Sequence, residues 1–153
     1  MSSPTQVERE HPVDVAVDPR LSRGVKAFLQ RLNAAGGPPL ETLPPLEARA
    51  VLANAQASVS VDLSGSAESE TTIHAEGYPI PLHIVRPAGA TGPRPVFLFI
   101  HGGGWVLGDY PTHQRMVRDL VVLSGVPGVF VNYTRTPEAR YPQAVQEIYA
   151  ATK

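Results

Sequence analysis

Apolar and polar positions in the first third of the chain recur with the period of a helix. Asp18 is a candidate N-cap, Pro19 suits the first helical turn, and a pair of glycines ends the segment. A second, shorter helix is predicted over residues 46–56. Because neither helix carries obvious chemistry, residues 1–68 are predicted to form a cap-like helical region. Five apolar side chains share one face of the first helix: Leu21, Val25, Phe28, Leu29 and Leu32.

After this region the apolar pattern becomes that of a sheet. Two strands are predicted over 71–76 and 80–86, joined by a short turn. Continuous apolar runs at 96–100 and 129–131 are typical of strands covered on both faces, and a helical pattern follows each run. A strand pair followed by strand, helix, strand and helix predicts that residues 69–153 form an α/β core with a mostly parallel sheet.

The composition limits the partners and the location of the protein. The 153 residues hold 13 basic and 14 acidic side chains, so there is no basic excess to bind nucleic acid or an anionic membrane surface. The longest strongly apolar run has five residues, whereas a membrane-spanning helix needs about twenty. Cysteine is absent, which excludes a thiol nucleophile and a thiolate metal site. Together with the lack of a secretion leader, this predicts a cytoplasmic protein.

A glycine-rich segment directly follows the apolar run at 96–100 and reads His101-Gly102-Gly103-Gly104-Trp105. Three consecutive glycines are costly to order, and a chain accepts that cost where the backbone turns tightly or approaches a ligand. At the carboxyl end of a strand, such a loop can direct successive N–H groups into a crevice. Acyl-transfer enzymes use such donors for a developing oxyanion, each worth about 2.7–4 kcal/mol of barrier. The segment therefore predicts an oxyanion-binding loop, with a plain glycine turn as the alternative.

This segment and a second one, PEARYP, together resemble a known family. The stretch from about Pro95 to Lys153 is similar to the hormone-sensitive-lipase-like, HGGG-motif branch of the α/β-hydrolases. The resemblance implies that the chain is the N-terminal part of an α/β-hydrolase fold. It further implies a carboxylic-ester hydrolase that acts on small acyl esters through an acyl-enzyme and needs no cofactor.

The resemblance also implies a role for each residue of the glycine-rich segment. The backbone N–H groups of Gly103 and Gly104 would line the oxyanion hole, and Gly102 would shape the turn. His101 would anchor the loop by hydrogen bonds and would not be the catalytic base. Trp105 would pack beside the acyl pocket.

Other implications concern residues further along the chain. Glu138, in the PEARYP segment, would be a structural carboxylate that pins the loop after the fourth strand. The family's serine nucleophile lies in a Gly-x-Ser-x-Gly elbow on a later strand, followed by an acidic residue and a histidine. No such elbow occurs in the 153 residues, and the nearest sequence, around Ser64 and Ser66, lacks the framing glycines.

We therefore expect this chain to carry the oxyanion loop without the triad, and the elbow to lie beyond Lys153. The run at 96–100 would then leave a bare strand edge, which predicts self-association or pairing with a missing C-terminal part. A non-catalytic relative that binds a small molecule, and an inactive truncated fragment, are the alternatives to an esterase.

Two other site types are disfavoured by the spacing. His101, Asp109 and His113 are potential metal ligands, but three such residues within a short stretch are common by chance, and no metal site is expected. Gly-x-Gly-x-x-x-Gly spacing from Gly102 onward departs from the dinucleotide-binding pattern. The next buried strand also ends in Asn132 rather than in an acidic residue for a ribose.

Overall fold

The computed structural model describes residues 14–153, and these residues divide into two compact units, with the second unit beginning at Leu40. The prediction about a secretion leader falls largely on residues 1–13, which lie outside the described residues. The second unit holds one helix of the predicted cap-like region together with the sheet. The predicted boundary between residues 68 and 69 stays a prediction.

The described part of the first unit contains one helix, α1, over Arg23–Ala35. Its N-cap is Ser22, whose hydroxyl accepts a hydrogen bond from the N–H of Val25 at 3.3 Å. The predicted N-cap, Asp18, is wrong because its carboxylate instead binds the side chain of Arg20, with one N–O distance of 2.7 Å. The helix therefore begins four residues later than the cap signal indicated.

The second unit contains every other predicted helix and strand, with most ends shifted by a few residues. In chain order it comprises a 3-10 helix over Leu40–Thr42, α2 over Pro45–Ala57, β1 over Ser66–Ala75, β2 over Tyr78–Pro87, β3 over Phe97–Phe99, α3 over Tyr110–Ser124, β4 over Gly128–Val131 and α4 over Gln143–Ala150. Within residues 14–153, every helix is too short or too polar to cross a bilayer.

The four strands form one mixed sheet in the order β1-β2-β4-β3. β1 and β2 form an antiparallel hairpin whose turn, Glu76-Gly77, has positive φ at both residues, as type I′ hairpin turns require. β2 is also antiparallel to β4, and only β3 and β4 are parallel. The expected parallel arrangement therefore holds for this last pair alone, because β2 is antiparallel to both of its neighbours.

Helices cover both faces of the sheet. Phe130 and Val131 are adjacent in β4 and fully buried, so they point to opposite faces. Phe130 packs with Val117 and Val121 of α3, whereas Val131 packs in a cluster with Ala150 of α4. These two clusters hold the carboxyl ends of β3 and β4 between the helices.

β3 is less buried than the apolar run predicts. Its three residues are only partly buried, and the flanking Val96 and Ile100 are 52% and 48% exposed. The reason is that β3 lies at the edge of the sheet and pairs only with β4 among the described strands. Self-association through this edge stays a prediction.

Candidate active site

The glycine loop, which we define as residues 101–108, joins the carboxyl end of β3 to the start of α3. A capping box fixes that start. The carboxylate of Asp109 accepts from the N–H of Thr112 at 3.1 Å, and the hydroxyl of Thr112 accepts from the N–H of Asp109 at 2.9 Å. Asp109 is therefore the N-cap, and Thr112 is the third helical residue.

The backbone of the loop needs its glycines for two different reasons. Gly103 has φ = +124°, and a Cβ there would overlap the carbonyl oxygen of Leu107. Gly104 has φ = +61° and open space around it, so only its backbone conformation favours glycine. Trp105 follows with φ = +64°, a conformation that a bulky residue rarely adopts and that marks local strain.

The carbonyl groups of the loop are held within the protein. The carbonyl oxygen of Gly102 lies 2.8 Å from Nδ1 of His101. The carbonyl oxygen of Gly103 accepts hydrogen bonds from the N–H groups of Val106, at 3.1 Å, and Leu107, at 2.8 Å. Each of these carbonyls belongs to the same peptide unit as the N–H group of the following residue.

The N–H groups of Gly103 and Gly104, unlike these carbonyls, are not bound within the described part of the protein. In a trans peptide the N–H points opposite to the C=O, so holding the two preceding carbonyls also fixes the directions of these N–H groups. Neither N–H donates a hydrogen bond to any residue between 14 and 153. Both residues are exposed. The loop thus offers two oriented donors, as an anion-binding loop requires.

His101 lies buried at the start of the glycine loop. It is 4% exposed and its ring stacks on Tyr133, with centroids 4.2 Å apart. Burial lowers the pKa of His101, which favours the neutral ring. Because the carbonyl oxygen of Gly102 can only accept, its contact assigns the proton to Nδ1. Nε2 is buried and has no hydrogen-bond partner in the described part of the chain.

Glu138 lies in the proline loop, which we define as residues 132–142, after β4. Its carboxylate binds the guanidinium of Arg49 through two hydrogen bonds, of 2.7 and 2.8 Å. These bonds lower the pKa of Glu138 to about 2. Sequence reasoning missed Arg49, which lies on α2, 89 residues from its partner. No local pattern marks it.

A second buried carboxylate holds the proline loop from α4. Glu147 is 1% exposed and accepts from the N–H of Thr134 at 2.6 Å and from the side-chain amide of Gln143 at 2.8 Å. Sequence reasoning did not find this role of Glu147. The helical pattern around Glu147 could not reveal that the chain turns back over it.

Two clefts open on the glycine loop and share Gly104. The first, of about 360 Å³, runs along Trp105 to the proline loop and α4. Its other lining residues are Val106, Thr136, Ala139, Arg140, Tyr141, Pro142, Ala144 and Val145. The second, of about 400 Å³, includes Gly103 and runs toward the 3-10 helix and α2. Trp105 is 47% exposed along the first cleft, where the resemblance implied an acyl pocket.

The arrangement offers little to a metal ion. Nδ1 of His113 contacts the hydroxyl of Thr112 at 3.0 Å and the carbonyl oxygen of Asp109 at 3.1 Å, so this nitrogen already has protein partners. Among the residues that the structure describes, no group of three or more His, Cys, Asp or Glu side chains is placed to hold a metal.

Comparison with known proteins gives similarities to α/β-hydrolases and esterases. A family model described as alpha/beta hydrolase fold matches residues 97–153. The crystal structure of a thermostable esterase from Pseudomonas putida is 57% identical with a TM-score of 0.86, over 88% of this chain and 42% of that one. One of two fungal esterases from Rhizomucor miehei is 37% identical with a TM-score of 0.72, over 92% of this chain and 40% of that one.

A curated alpha/beta hydrolase of Acanthamoeba polyphaga mimivirus is 33% identical over 131 residues, which are 83% of this chain and 35% of that protein. The chain thus spans well under half the length of each of these three relatives. The four strands and their helices match an N-terminal portion of the shared fold. The chain thus has the α/β-hydrolase fold, and its similarities support the hormone-sensitive-lipase-like, esterase-type branch of that fold.

Proposed function

We propose that this chain supplies the oxyanion-binding loop of a carboxylic-ester hydrolase that works through an acyl-enzyme. The observation that supports this most is the pair of N–H groups at Gly103 and Gly104. They have no partner among residues 14–153, and Gly104 opens on both clefts. Hydrogen-bond donors that are already oriented stabilise charge as it develops and need no rearrangement during the reaction.

In this proposal the carbonyl carbon of a bound ester is attacked by a serine, and the carbonyl oxygen becomes an oxyanion. The N–H groups of Gly103 and Gly104 donate to this oxygen, while Gly102 shapes the turn before them. His101 holds the loop through Nδ1 and leaves proton transfer to another histidine. The cleft beside Trp105 receives a short or medium acyl chain, which suits its volume of about 360 Å³.

None of the residues described here is assigned the role of nucleophile or base. The 153 residues contain no Gly-x-Ser-x-Gly, and the residues that line the two clefts include neither serine nor histidine. We therefore expect no serine-dependent ester turnover from this chain by itself. The predicted cytoplasmic location stays a prediction.

A chimaera tests the proposal. The matched N-terminal portion of the Pseudomonas putida esterase, which is 57% identical, is replaced by this chain. The chimaera is assayed with chromogenic acetate and butyrate esters, and the 153-residue chain alone is the control. We expect turnover by the chimaera and none by the chain. Replacing the Gly104 amide by an ester, with glycolic acid in place of glycine, removes the N–H without fixing φ and should lower kcat by roughly 10²–10³-fold. A folded chimaera without turnover, or full activity of the ester-substituted chimaera, contradicts the proposal.

The lack of a serine or histidine around the clefts also supports a second candidate, a relative that binds a small molecule without reacting with it. This candidate predicts that the chimaera is inactive while the chain binds small esters or carboxylates in the cleft beside Trp105. Trp105 is the only tryptophan in the protein, so quenching of its fluorescence by butyrate or ethyl butyrate separates the two candidates.

A further inference from the structure

Arg49 contacts other parts of the candidate site besides Glu138, its ion-pair partner. Its side chain is 12% exposed although it reaches out from α2. Nε donates to the carbonyl oxygen of Val106 at 2.8 Å, and Nη2 donates to the carbonyl oxygen of Thr136 at 2.8 Å. One guanidinium therefore links α2, the glycine loop and the proline loop.

The contact with Val106 acts on the peptide unit between Val106 and Leu107. The N–H of Leu107 points opposite to the carbonyl that Arg49 holds, and it donates to the carbonyl oxygen of Gly103 at 2.8 Å. That carbonyl in turn shares a peptide unit with the N–H of Gly104. Only two peptide units thus separate the guanidinium from the N–H of Gly104.

The contact with Thr136 supports the same carbonyl from a second direction. The N–H of Thr136 donates to the carbonyl oxygen of Trp105 at 2.8 Å. In that peptide unit the N–H of Val106 points the other way, and it donates to the carbonyl oxygen of Gly103 at 3.1 Å. The carbonyl oxygen of Gly103 thus accepts from two peptide units. Arg49 binds the carbonyl of the unit that contains the Leu107 N–H. Thr136, which Arg49 also binds, holds the carbonyl of the unit that contains the Val106 N–H.

We propose that Arg49 is a positioning residue, which fixes the direction of the Gly104 N–H by holding the carbonyl oxygens of Val106 and Thr136. The contribution of Arg49 to ester hydrolysis rests on the proposed oxyanion role of Gly104. The shape of the guanidinium is essential, because its planar fork binds two loop carbonyls and a carboxylate at once. The compact ammonium of a lysine cannot span the same set.

The test uses the complete 153-residue chain, labelled with ¹⁵N, and compares Arg49→Lys and Arg49→Gln with the wild type. Three signals report on the loop: the amide shift of Gly104, the hydrogen-exchange rate of the Leu107 amide and the fluorescence of Trp105. The amide of Phe130, buried in β4, reports on the fold as a whole. Arg115→Gln is the matched control, since Arg115 is 65% exposed and its nearest carboxylate, on Asp119, is 3.7 Å away.

We expect both Arg49 variants to move the Gly104 shift and the Trp105 emission, and to speed exchange at Leu107 by about tenfold, the effect of losing one hydrogen bond. Exchange at Phe130 should stay at the wild-type rate, and Arg115→Gln should change nothing. Wild-type signals at Gly104 and Leu107 in Arg49→Lys overturn the proposal. Equal acceleration at Leu107 and Phe130 overturns it as well, because Arg49 then only stabilises the fold. Ester turnover plays no part here, so an inactive chimaera refutes the proposed function without deciding this result.

Discussion

The glycine loop and the proline loop both follow parallel strands at the same edge of the sheet, yet they use their backbone in opposite ways. In the glycine loop, the N–H groups of Gly103 and Gly104 bind nothing in the described chain, and the carbonyls before them are held. In the proline loop, N–H groups are used to hold neighbours. That of Thr134 binds Glu147, and that of Thr136 binds the carbonyl of Trp105.

This difference shows how a loop can keep donors free without losing its shape. Unpaired N–H groups give a loop no stability of their own, so its conformation must be imposed through its carbonyls and by its neighbours. The proline loop, α2 and α4 supply that support through the side chains of Arg49 and Glu147. The glycine loop can present free donors because the proline loop beside it is held in place.

Filling the space at Gly103 should have the largest effect on the difference between the two loops. Gly103→Ala places a Cβ against the carbonyl oxygen of Leu107 at φ = +124°, so the turn must open. We expect a loss of about 3 kcal/mol in the free energy of unfolding, measured by urea denaturation. Gly104→Ala is the matched control. Its Cβ meets nothing within 4 Å, and φ = +61° should cost only about 1–2 kcal/mol. Equal losses in the two variants would mean that the contact with Leu107 does not shape the loop.

Removing the buried carboxylate of Glu147 should release the proline loop from α4. In Glu147→Ala the N–H of Thr134 loses its 2.6 Å partner, which should lower the free energy of unfolding by about 1–3 kcal/mol. Glu147→Gln keeps an oxygen acceptor and should lose less. Hydrogen exchange at Thr134 measures the local effect, and its rate should rise more in the alanine variant. An unchanged rate in both variants would show that α4 does not hold this loop.

The sequence predicted the glycine loop better than its support, for a physical reason. Glycine is favoured where φ is positive or a Cβ has no room, which applies to Gly103 and Gly104, so this part of the loop is visible as a local pattern. The contacts of Arg49 and Glu147 join distant segments, and their neighbours in sequence carry no trace of the partner. The mixed sheet was missed likewise, because strand periodicity does not say which strand lies beside β4.

The ion pair between Arg49 and Glu138 makes the support of the two loops depend on pH. The pKa of Glu138 falls from 4.5 to about 2, because Arg49 donates hydrogen bonds to the ionised carboxylate. A folded-state pKa below the ordinary value means that the folded protein favours the charged form. The pair therefore contributes its full stability above pH 4.5 and loses it as the pH falls from 4.5 toward 2.

This pH dependence can be isolated with Glu138→Gln, which keeps the shape of the side chain and removes its charge. We expect wild type to be more stable than the variant above pH 4.5, by a small amount because Glu138 is 49% exposed, and the difference to vanish near pH 2. Urea unfolding at several pH values measures it. Because Arg49 keeps its bonds to the two loop carbonyls in this variant, the amide shift of Gly104 should hardly move. A large shift there would mean that Glu138, rather than the carbonyl contacts, controls how Arg49 positions the loop.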